Sequence, residues 1–128
     1  INYAALAGHV MVEDGVTVGG YCGIHQFVRL GAHCFIGLQS RVVKDVPPYL
    51  IGQGADDFTL HGPNSIGLRR KGFNIVTIRA IKEAFRLIFR NNRPLPEVLE
   101  EVLAEYPDVP EVIRMVEFIQ GSKRGVYR

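Results

Sequence analysis

The chain has 128 residues, a formal net charge of +2 and 47% hydrophobic residues, which suits a single globular domain. Its small net charge gives no case for nucleic acid binding, and no apolar run is long enough to span a membrane. The first four residues show neither the basic start nor the apolar run of a signal peptide. They look instead like the middle of a repeat.

A six-residue repeat occupies residues 6–47. Its first position is always aliphatic, at Leu6, Val12, Val18, Ile24, Leu30, Ile36 and Val42. Its fifth position is always small or β-branched, at Val10, Val16, Cys22, Val28, Cys34, Ser40 and Val46. Because a period of six suits neither an isolated strand nor a helix, it predicts a triangular prism of short parallel strands. Each six-residue repeat would form one face, and three repeats would form one coil.

The repeat also predicts where its residues point. The aliphatic side chain should point into the prism and the small residue should lie beside the corner. Glycine at the second position, in Gly19, Gly31 and Gly37, is expected to supply sharp bends. Seven repeats make little more than two coils. The first coil, which begins at Leu6, would therefore expose the apolar interior of the prism at its end. We therefore expect further coils before Ile1, or a partner that covers this end.

The two cysteines both occupy fifth positions of the repeat. Cys22 and Cys34 are therefore expected to be buried, reduced side chains. No Cys-x-x-Cys spacing supports a disulfide or a metal site. Reduced cysteines agree with a cytoplasmic protein.

The remaining chain divides into a loop and a helical region. Two prolines, Pro47 and Pro48, are expected to end the prism, which would occupy residues 1–49. Residues 50–73 have no sustained period and predict an extended, ordered connector on the prism, whose length favours a functional loop. Helical spacing then predicts three helices in residues 74–128, near 74–91, 95–106 and 110–120, with Asn74 capping the first.

Two histidines and an amide are candidates for chemistry on one face of the prism. Phe27 follows His9 by eighteen residues and should stack on it one coil away, roughly 4.8 Å along the prism. His25 and Gln26 should then be neighbours of His9. Such a group could bind a sugar or phosphate, or move a proton near neutral pH, and the alternative is surface residues without a task. His33 looks isolated, as does His61, and we expect neither to have a function.

Basic residues form two further candidate groups. Arg69, Arg70 and Lys71 suit a phosphate or pyrophosphate, which arginine can bind in a bidentate way. A second basic side follows the first helix, at Arg79, Lys82, Arg86, Arg90 and Arg93. It could meet an acidic partner protein, although both groups could also be plain solvated surface. No metal-ligand cluster, glycine-rich phosphate loop or nucleophile elbow is present.

Several ordered motifs together resemble one enzyme family. They are Leu6-Ala-Gly-His-Val10, Gly19-Gly20, His25-Gln-Phe27, Leu30-Gly-Ala-His33, Asp45-Val-Pro-Pro-Tyr49, Gln53-Gly54 and Gly67-Leu-Arg-Arg-Lys-Gly-Phe73. The chain resembles, over its whole length, the acyl-carrier-protein:UDP-N-acetylglucosamine O-acyltransferases of lipid A synthesis. The His-Gln-Phe and Gly-Leu-Arg-Arg-Lys-Gly-Phe blocks are specific, whereas the repeats alone would admit many acyltransferases and acetyltransferases.

This resemblance implies a left-handed parallel β-helix followed by a small three-helix region. It implies a cytoplasmic bacterial homotrimer with active sites between neighbouring prisms. The reaction would transfer a 3-hydroxyacyl group from acyl carrier protein to the 3-hydroxyl of UDP-N-acetylglucosamine. No cofactor is expected beyond the phosphopantetheine of the carrier protein. The general-base histidine of the family would lie before Ile1, so the catalytic residue is expected outside this chain and the isolated chain is expected to be inactive.

The resemblance also implies roles for individual residues. His9 matches a contact to the glucosamine ring, and His25 and Gln26 match residues that line the site or contact substrate. Asn64 matches an asparagine near the uridine and phosphate. Arg70 and Lys71 match the basic pair used for the diphosphate and the pantetheine phosphate.

Three positions depart from the family pattern. The loop before Ile66 is one residue longer than in relatives, and Ile66 stands where an acidic substrate contact is expected. Leu38 falls at the acyl-length ruler position and is bulkier than the glycine of some relatives, so the acyl groove would end earlier or bend. The acyl length and the choice between the ordinary and the 3-amino sugar stay open.

Two alternatives to this function stay open as well. One is a non-catalytic module that trimerises and binds a carrier protein. The other is a sister N-acyltransferase of the same pathway or a nucleotide-sugar acetyltransferase. The basic residues 69–71 and the three predicted C-terminal helices argue against this second alternative.

Overall fold

Three short parallel sheets form the first part of the fold. The computed structural model describes all 128 residues. The first seven strands are β1 (Ala5–Leu6), β2 (Met11–Val12), β3 (Thr17–Val18), β4 (Gly23–Ile24), β5 (Arg29–Leu30), β6 (Phe35–Ile36) and β7 (Arg41–Val42). They pair in parallel as β1-β4-β7, β2-β5 and β3-β6, each residue lying opposite the residue eighteen positions later. Eighteen residues thus make one coil with three faces, as the repeat predicts. We call this part the prism.

The interior of the prism follows the repeat. From the second coil onward the first and fifth positions are buried, at Cys22, Ile24, Val28, Leu30, Cys34, Ile36, Ser40, Val42 and Val46. In the first coil Leu6 and Val12 are 45% and 48% exposed. Both cysteines are free and buried, as expected. Burial raises the pKa of the Cys34 thiol to about 12, so this group is not a nucleophile at neutral pH.

In the first six repeats the corners of the prism turn at the fourth position, not at the glycines of the second. Positive φ values occur at His9, Gly15, Tyr21, Phe27, His33 and Gln39. The predicted role of the second-position glycines is therefore wrong. They are needed for space, because a Cβ on Gly31 would lie 2.4 Å from the nitrogen of Pro48, and one on Gly37 would lie 2.7 Å from the side chain of Gln53.

The prism continues beyond the two prolines, contrary to the prediction. Strand β8 (Leu50–Gln53) pairs in parallel with β6, and Phe35 lies opposite Ile51, sixteen residues later. Strand β9 (Thr59–Pro63) pairs antiparallel with β8 and widens the same sheet. Helix α1 (Ser65–Arg70) follows. Residues 50–73 are thus a hairpin and a short helix rather than an extended connector, because the third coil closes with two fewer residues.

Three longer helices complete the fold. They are α2 (Ile75–Phe89), α3 (Leu95–Glu105) and α4 (Pro110–Gln120), which confirms the predicted helices. The Asn74 side chain accepts a hydrogen bond from the amide of Thr77 at 2.8 Å and so caps α2. Buried residues of the helices and the prism form one continuous hydrophobic cluster. None of the helices combines the length and the apolar character that crossing a membrane requires.

A buried carboxylate fastens the C-terminal segment to the prism. Asp45 is 1% exposed. Its carboxylate accepts hydrogen bonds from the amide of Arg29 at 2.8 Å and from the hydroxyl of Ser122 at 2.6 Å. Close to it, the hydroxyl of Tyr127 accepts a hydrogen bond from the amide of Val43 at 2.7 Å. The last turn of the chain is therefore held against the third coil.

We expect Asp45→Ala to lower the free energy of unfolding by about 3 kcal/mol, because a buried amide and a buried hydroxyl lose their acceptor. Asp45→Asn is the matched control, since its oxygen can accept from Arg29 and its NH₂ can donate to Ser122. The control should cost about 1 kcal/mol. Urea denaturation followed by circular dichroism measures both, and equal losses in the two variants would contradict this account.

Candidate functional site

A cavity of about 460 Å³ lies where α1 packs beside the third sheet of the prism. Its lining residues are Thr17, Phe35, Ile51, Pro63, Asn64, Ser65, Ile66, Gly67, Arg70 and Lys71. The structure thus brings together three of the predicted binding residues, Asn64, Arg70 and Lys71. We call this space the cationic cavity.

Local sequence explains how α1 presents these groups. Asn64 precedes the helix, is 8% exposed and donates from its side-chain amide to the carbonyl of His33 at 3.3 Å. Gly67 is required for this placement, since a Cβ there would lie 2.5 Å from the amide nitrogen of Asn64. Arg69 and Arg70 occupy the last turn of α1, where the negative end of the helix dipole favours cations.

The cations beside the cavity have no carboxylate partner. Neither Arg70 nor Lys71 has an acidic oxygen within 4 Å in an ion pair. Guanidinium and ammonium groups without a counter-charge at a concave surface suit phosphate oxygens. The arrangement can therefore bind an anion such as a diphosphate.

His33 lies beside this cavity, so the prediction that it is isolated is wrong. Its ring stacks on Tyr49 with centroids 6.2 Å apart and meets the edge of Phe73 at 5.2 Å. Its Nδ1 lies 3.1 Å from Nζ of Lys71. Burial and the charges of Lys71 and Arg114 lower the pKa of His33, while Asp14 opposes them. His33 is accordingly a neutral ring at neutral pH.

A sequence signal for this cluster did exist. Gly15 and His33 are both fourth-position residues, eighteen apart, and so belong to the same corner of the prism. Tyr49 also has a positive φ and stacks on the same corner, although it follows by sixteen residues. Lys71 reaches the corner only through the packing of α1, which the repeat does not predict.

The other predicted histidines lie at a different corner, between the first and second faces. The rings of His9 and Phe27 stack with centroids 4.8 Å apart and planes within 5°, which confirms the predicted stack. Gln26 lies over Gly8, one coil away. His25 lines a groove of about 450 Å³ together with the three strands of the first sheet, β1, β4 and β7.

Leu38 lies at the remaining corner, between the third and first faces. It is 57% exposed. One of its methyl carbons lies 3.6 Å from where a Cβ of Gly20 would be. The predicted site residues therefore occupy three different corners of one prism, and this chain alone does not gather them into one site.

The basic side of α2 borders another groove, of about 320 Å³, between α2 and β9. It is lined by His61, Gly62, Pro63, Arg79, Lys82, Glu83, Phe85, Arg86 and Arg90. Glu83 pairs with Arg86, and Arg93 is paired with two glutamates of α3, so Arg93 does not contribute free charge. Arg79 and Lys82 remain unpaired. His61, expected to be isolated, lies among these cations.

The fold is that of a hexapeptide-repeat protein, and its cationic cavity carries groups whose chemistry suits an anion. Residues 45–127 match the family described as Udp N-acetylglucosamine O-acyltransferase, domain 2. The chain belongs to this family of O-acyltransferases, as the resemblance of its motifs indicated.

Individual relatives agree with this assignment. The chain is 44% identical over 123 residues to the acyl-[acyl-carrier-protein]–UDP-N-acetylglucosamine O-acyltransferase of Nautilia profundicola, covering 96% of the chain and 47% of that protein. It is 36% identical over 127 residues to the enzyme of that name from Thiobacillus denitrificans, covering 99% and 49%. The structure of the Francisella novicida UDP-N-acetylglucosamine acyltransferase superposes with a TM-score of 0.93 at 34% identity, covering 99% and 46%. The chain spans about half the length of the curated relatives it matches.

Proposed function

We propose that the protein carrying this sequence transfers a 3-hydroxyacyl group from acyl carrier protein to the 3-hydroxyl of UDP-N-acetylglucosamine, the first step of lipid A biosynthesis. The observation that carries the proposal is the cationic cavity: Arg70 and Lys71 lie together with Asn64 in a chain of this family. A nucleotide sugar provides the diphosphate that such a cavity suits.

The roles of the residues follow from their chemistry. Arg70 and Lys71 bind the diphosphate or the phosphate of the pantetheine arm, and Asn64 orients the uridine end. His9, His25 and Gln26 contact the sugar or line its site. Leu38 limits the acyl groove. These groups bind and orient the substrates, which accelerates the reaction by holding the hydroxyl near the thioester carbonyl.

The chemical step needs a base that accepts the proton of the sugar hydroxyl. That oxygen then attacks the thioester carbonyl, an ester bond forms, and the carrier-protein thiol leaves with a proton. We assign this base to a histidine outside the present chain, as the family resemblance implies. The test is acyl transfer by the 128-residue chain itself. A clear product would move the assignment to His9 or His25.

We infer that the prism is a left-handed β-helix and that three copies assemble around it. A TM-score of 0.93 to a relative supports a common handedness, because coils of opposite hand do not superpose. The separation of His9 and Arg70 on different corners supports assembly, since residues from two neighbouring copies could complete one site. The unpaired cations of α2 offer a surface for the acidic carrier protein.

We expect Arg70→Ala, in the protein at its natural length, to weaken binding of UDP-N-acetylglucosamine roughly 10- to 100-fold, because a charge-assisted hydrogen bond to phosphate is lost. His9→Ala should weaken it as well. Arg69→Ala is the control, since Arg69 does not line the cavity. Isothermal titration calorimetry measures the three constants. Unchanged binding in both test variants would mean that the residue roles carried over from the family are wrong.

A further inference from the structure

Gly15 opens a notch at one corner of the prism. The same corner position elsewhere carries a side chain with a similar positive φ, as in His9, Tyr21 and Phe27. The backbone of Gly15 therefore does not demand glycine. Space does, because a Cβ there would lie 2.3 Å from Nδ1 of His33 and 2.9 Å from Nζ of Lys71.

The ammonium of Lys71 occupies this notch. Its Nζ donates to the carbonyl of Gly15 at 2.6 Å and lies 3.1 Å from Nδ1 of His33. An ammonium has three donors and no acceptor, so Nδ1 must accept and the ring must carry its proton on Nε2. Two of the three N–H groups of Lys71 are thus fixed, and the third is left for a ligand of the cationic cavity.

The surroundings keep His33 in the form that accepts. Tyr49 and Phe73 hold its ring by aromatic contacts. The charged groups that face it are Lys71, Arg114 from α4 and Asp14 from the first coil. Burial of the ring and then the charge of Lys71 lower the pKa of His33 most and favour the neutral imidazole, while Arg114 also pairs with Glu13 at 3.7 Å.

We propose that His33 is a positioning residue, which with the notch at Gly15 fixes the ammonium of Lys71 at the cationic cavity for binding the diphosphate of a nucleotide. This inference rests on the proposed function. His33 acts through Lys71 and does not itself touch the substrate.

Calorimetric titration with UDP at pH 7.5, on the protein at its natural length, tests the proposal. His33→Phe keeps an aromatic ring but has no acceptor, and we expect UDP binding about 5- to 10-fold weaker. His33→Gln supplies an amide oxygen as acceptor and should stay within about 2-fold of wild type. In a Lys71→Met background, His33→Phe should cause no further loss, because coupled residues are not additive.

A variant of the notch gives an independent test. Gly15→Ala should weaken UDP binding by a similar factor, because its methyl group takes space held by the His33 ring and the Lys71 ammonium. Gly125→Ala is the matched control, since its φ of 87° is also positive and nothing lies within 4 Å of a Cβ there. Circular dichroism confirms that each variant is folded.

Nitrogen NMR of the His33 ring provides a readout without ligand. We expect the Nε2–H tautomer in the wild type, and Lys71→Met should raise the pKa of His33 because a facing cation is removed. Equal losses of UDP affinity from His33→Phe in both backgrounds would show a merely structural role and overturn the proposal, as would no loss at all. A wild type that does not bind UDP would overturn the proposed function, while an unchanged His33 tautomer and pKa in Lys71→Met would overturn the positioning itself.

Discussion

Gly31→Ala is expected to lower the free energy of unfolding by about 3 kcal/mol, although it adds a single methyl group. The new Cβ would lie 2.4 Å from the nitrogen and 2.6 Å from Cδ of Pro48, and 2.8 Å from the carbonyl carbon of Pro47. These are backbone and ring atoms, which cannot rotate away. The amide of Gly31 also donates to the carbonyl of Val46 at 2.8 Å, so these two segments of the chain cannot separate without losing this bond.

Gly23→Ala is the matched control for this prediction. Gly23 also lies in the prism, but no atom lies within 4 Å of its built Cβ and its φ is not positive. We expect this variant to stay within about 0.5 kcal/mol of wild type. Urea titrations of both variants under one set of conditions decide the matter. Equal stability of the two would show that the third coil does not depend on the contact between Gly31 and Pro48.

The regular coils were predictable because each residue of the repeat has the same surroundings in every coil. Val28 and Val46, for example, are buried at equivalent positions beside the same corner in successive coils. The third coil was missed because its register shortens from eighteen to sixteen residues, as the pairing of Phe35 with Ile51 shows. The side-chain period is lost there while the backbone pairing continues. A composition rich in glycine and proline then looks like a loop, although Gly52 leaves room for the ring of Phe58 inside a hairpin.

The candidate site was predictable only where it depends on local motifs. Asn64, Arg70 and Lys71 lie within eight residues, and α1 keeps them together. His33 could not be paired with Lys71 from spacing, because 38 residues separate them and the packing of α1 joins them. The division of the site over three corners was implicit in the repeat. In the regular coils, two residues stack at the same corner only when they are three repeats, or eighteen residues, apart, and other spacings place them at different corners.

This division leads to the prediction with the largest expected effect on activity. In the proposed trimer, mixing His9→Ala and Arg70→Ala chains at natural length should recover activity well above that of either variant alone. Each site would take the His9 corner from one copy and the cationic cavity from its neighbour. Random mixing then leaves both halves intact in roughly one site of four, and we expect about 25% of wild-type acyl transfer. Each variant alone should retain only a few per cent, because a charge-assisted contact to the substrate is lost.

The control for complementation mixes two defects of the same corner. His9→Ala and His25→Ala chains share the damaged half, since both histidines lie between the first and second faces. No intact site can form from them, because every copy lacks one histidine of this corner, so we expect no recovery. The chains are denatured together, refolded and tested with 3-hydroxyacyl carrier protein and UDP-N-acetylglucosamine, with the product measured by mass. Recovery in the control as well would indicate subunit stabilisation. Absence of recovery in both mixtures, from trimers shown to be mixed, would place the whole site within one chain. The separation of His9 and Arg70 on different corners would then no longer support assembly.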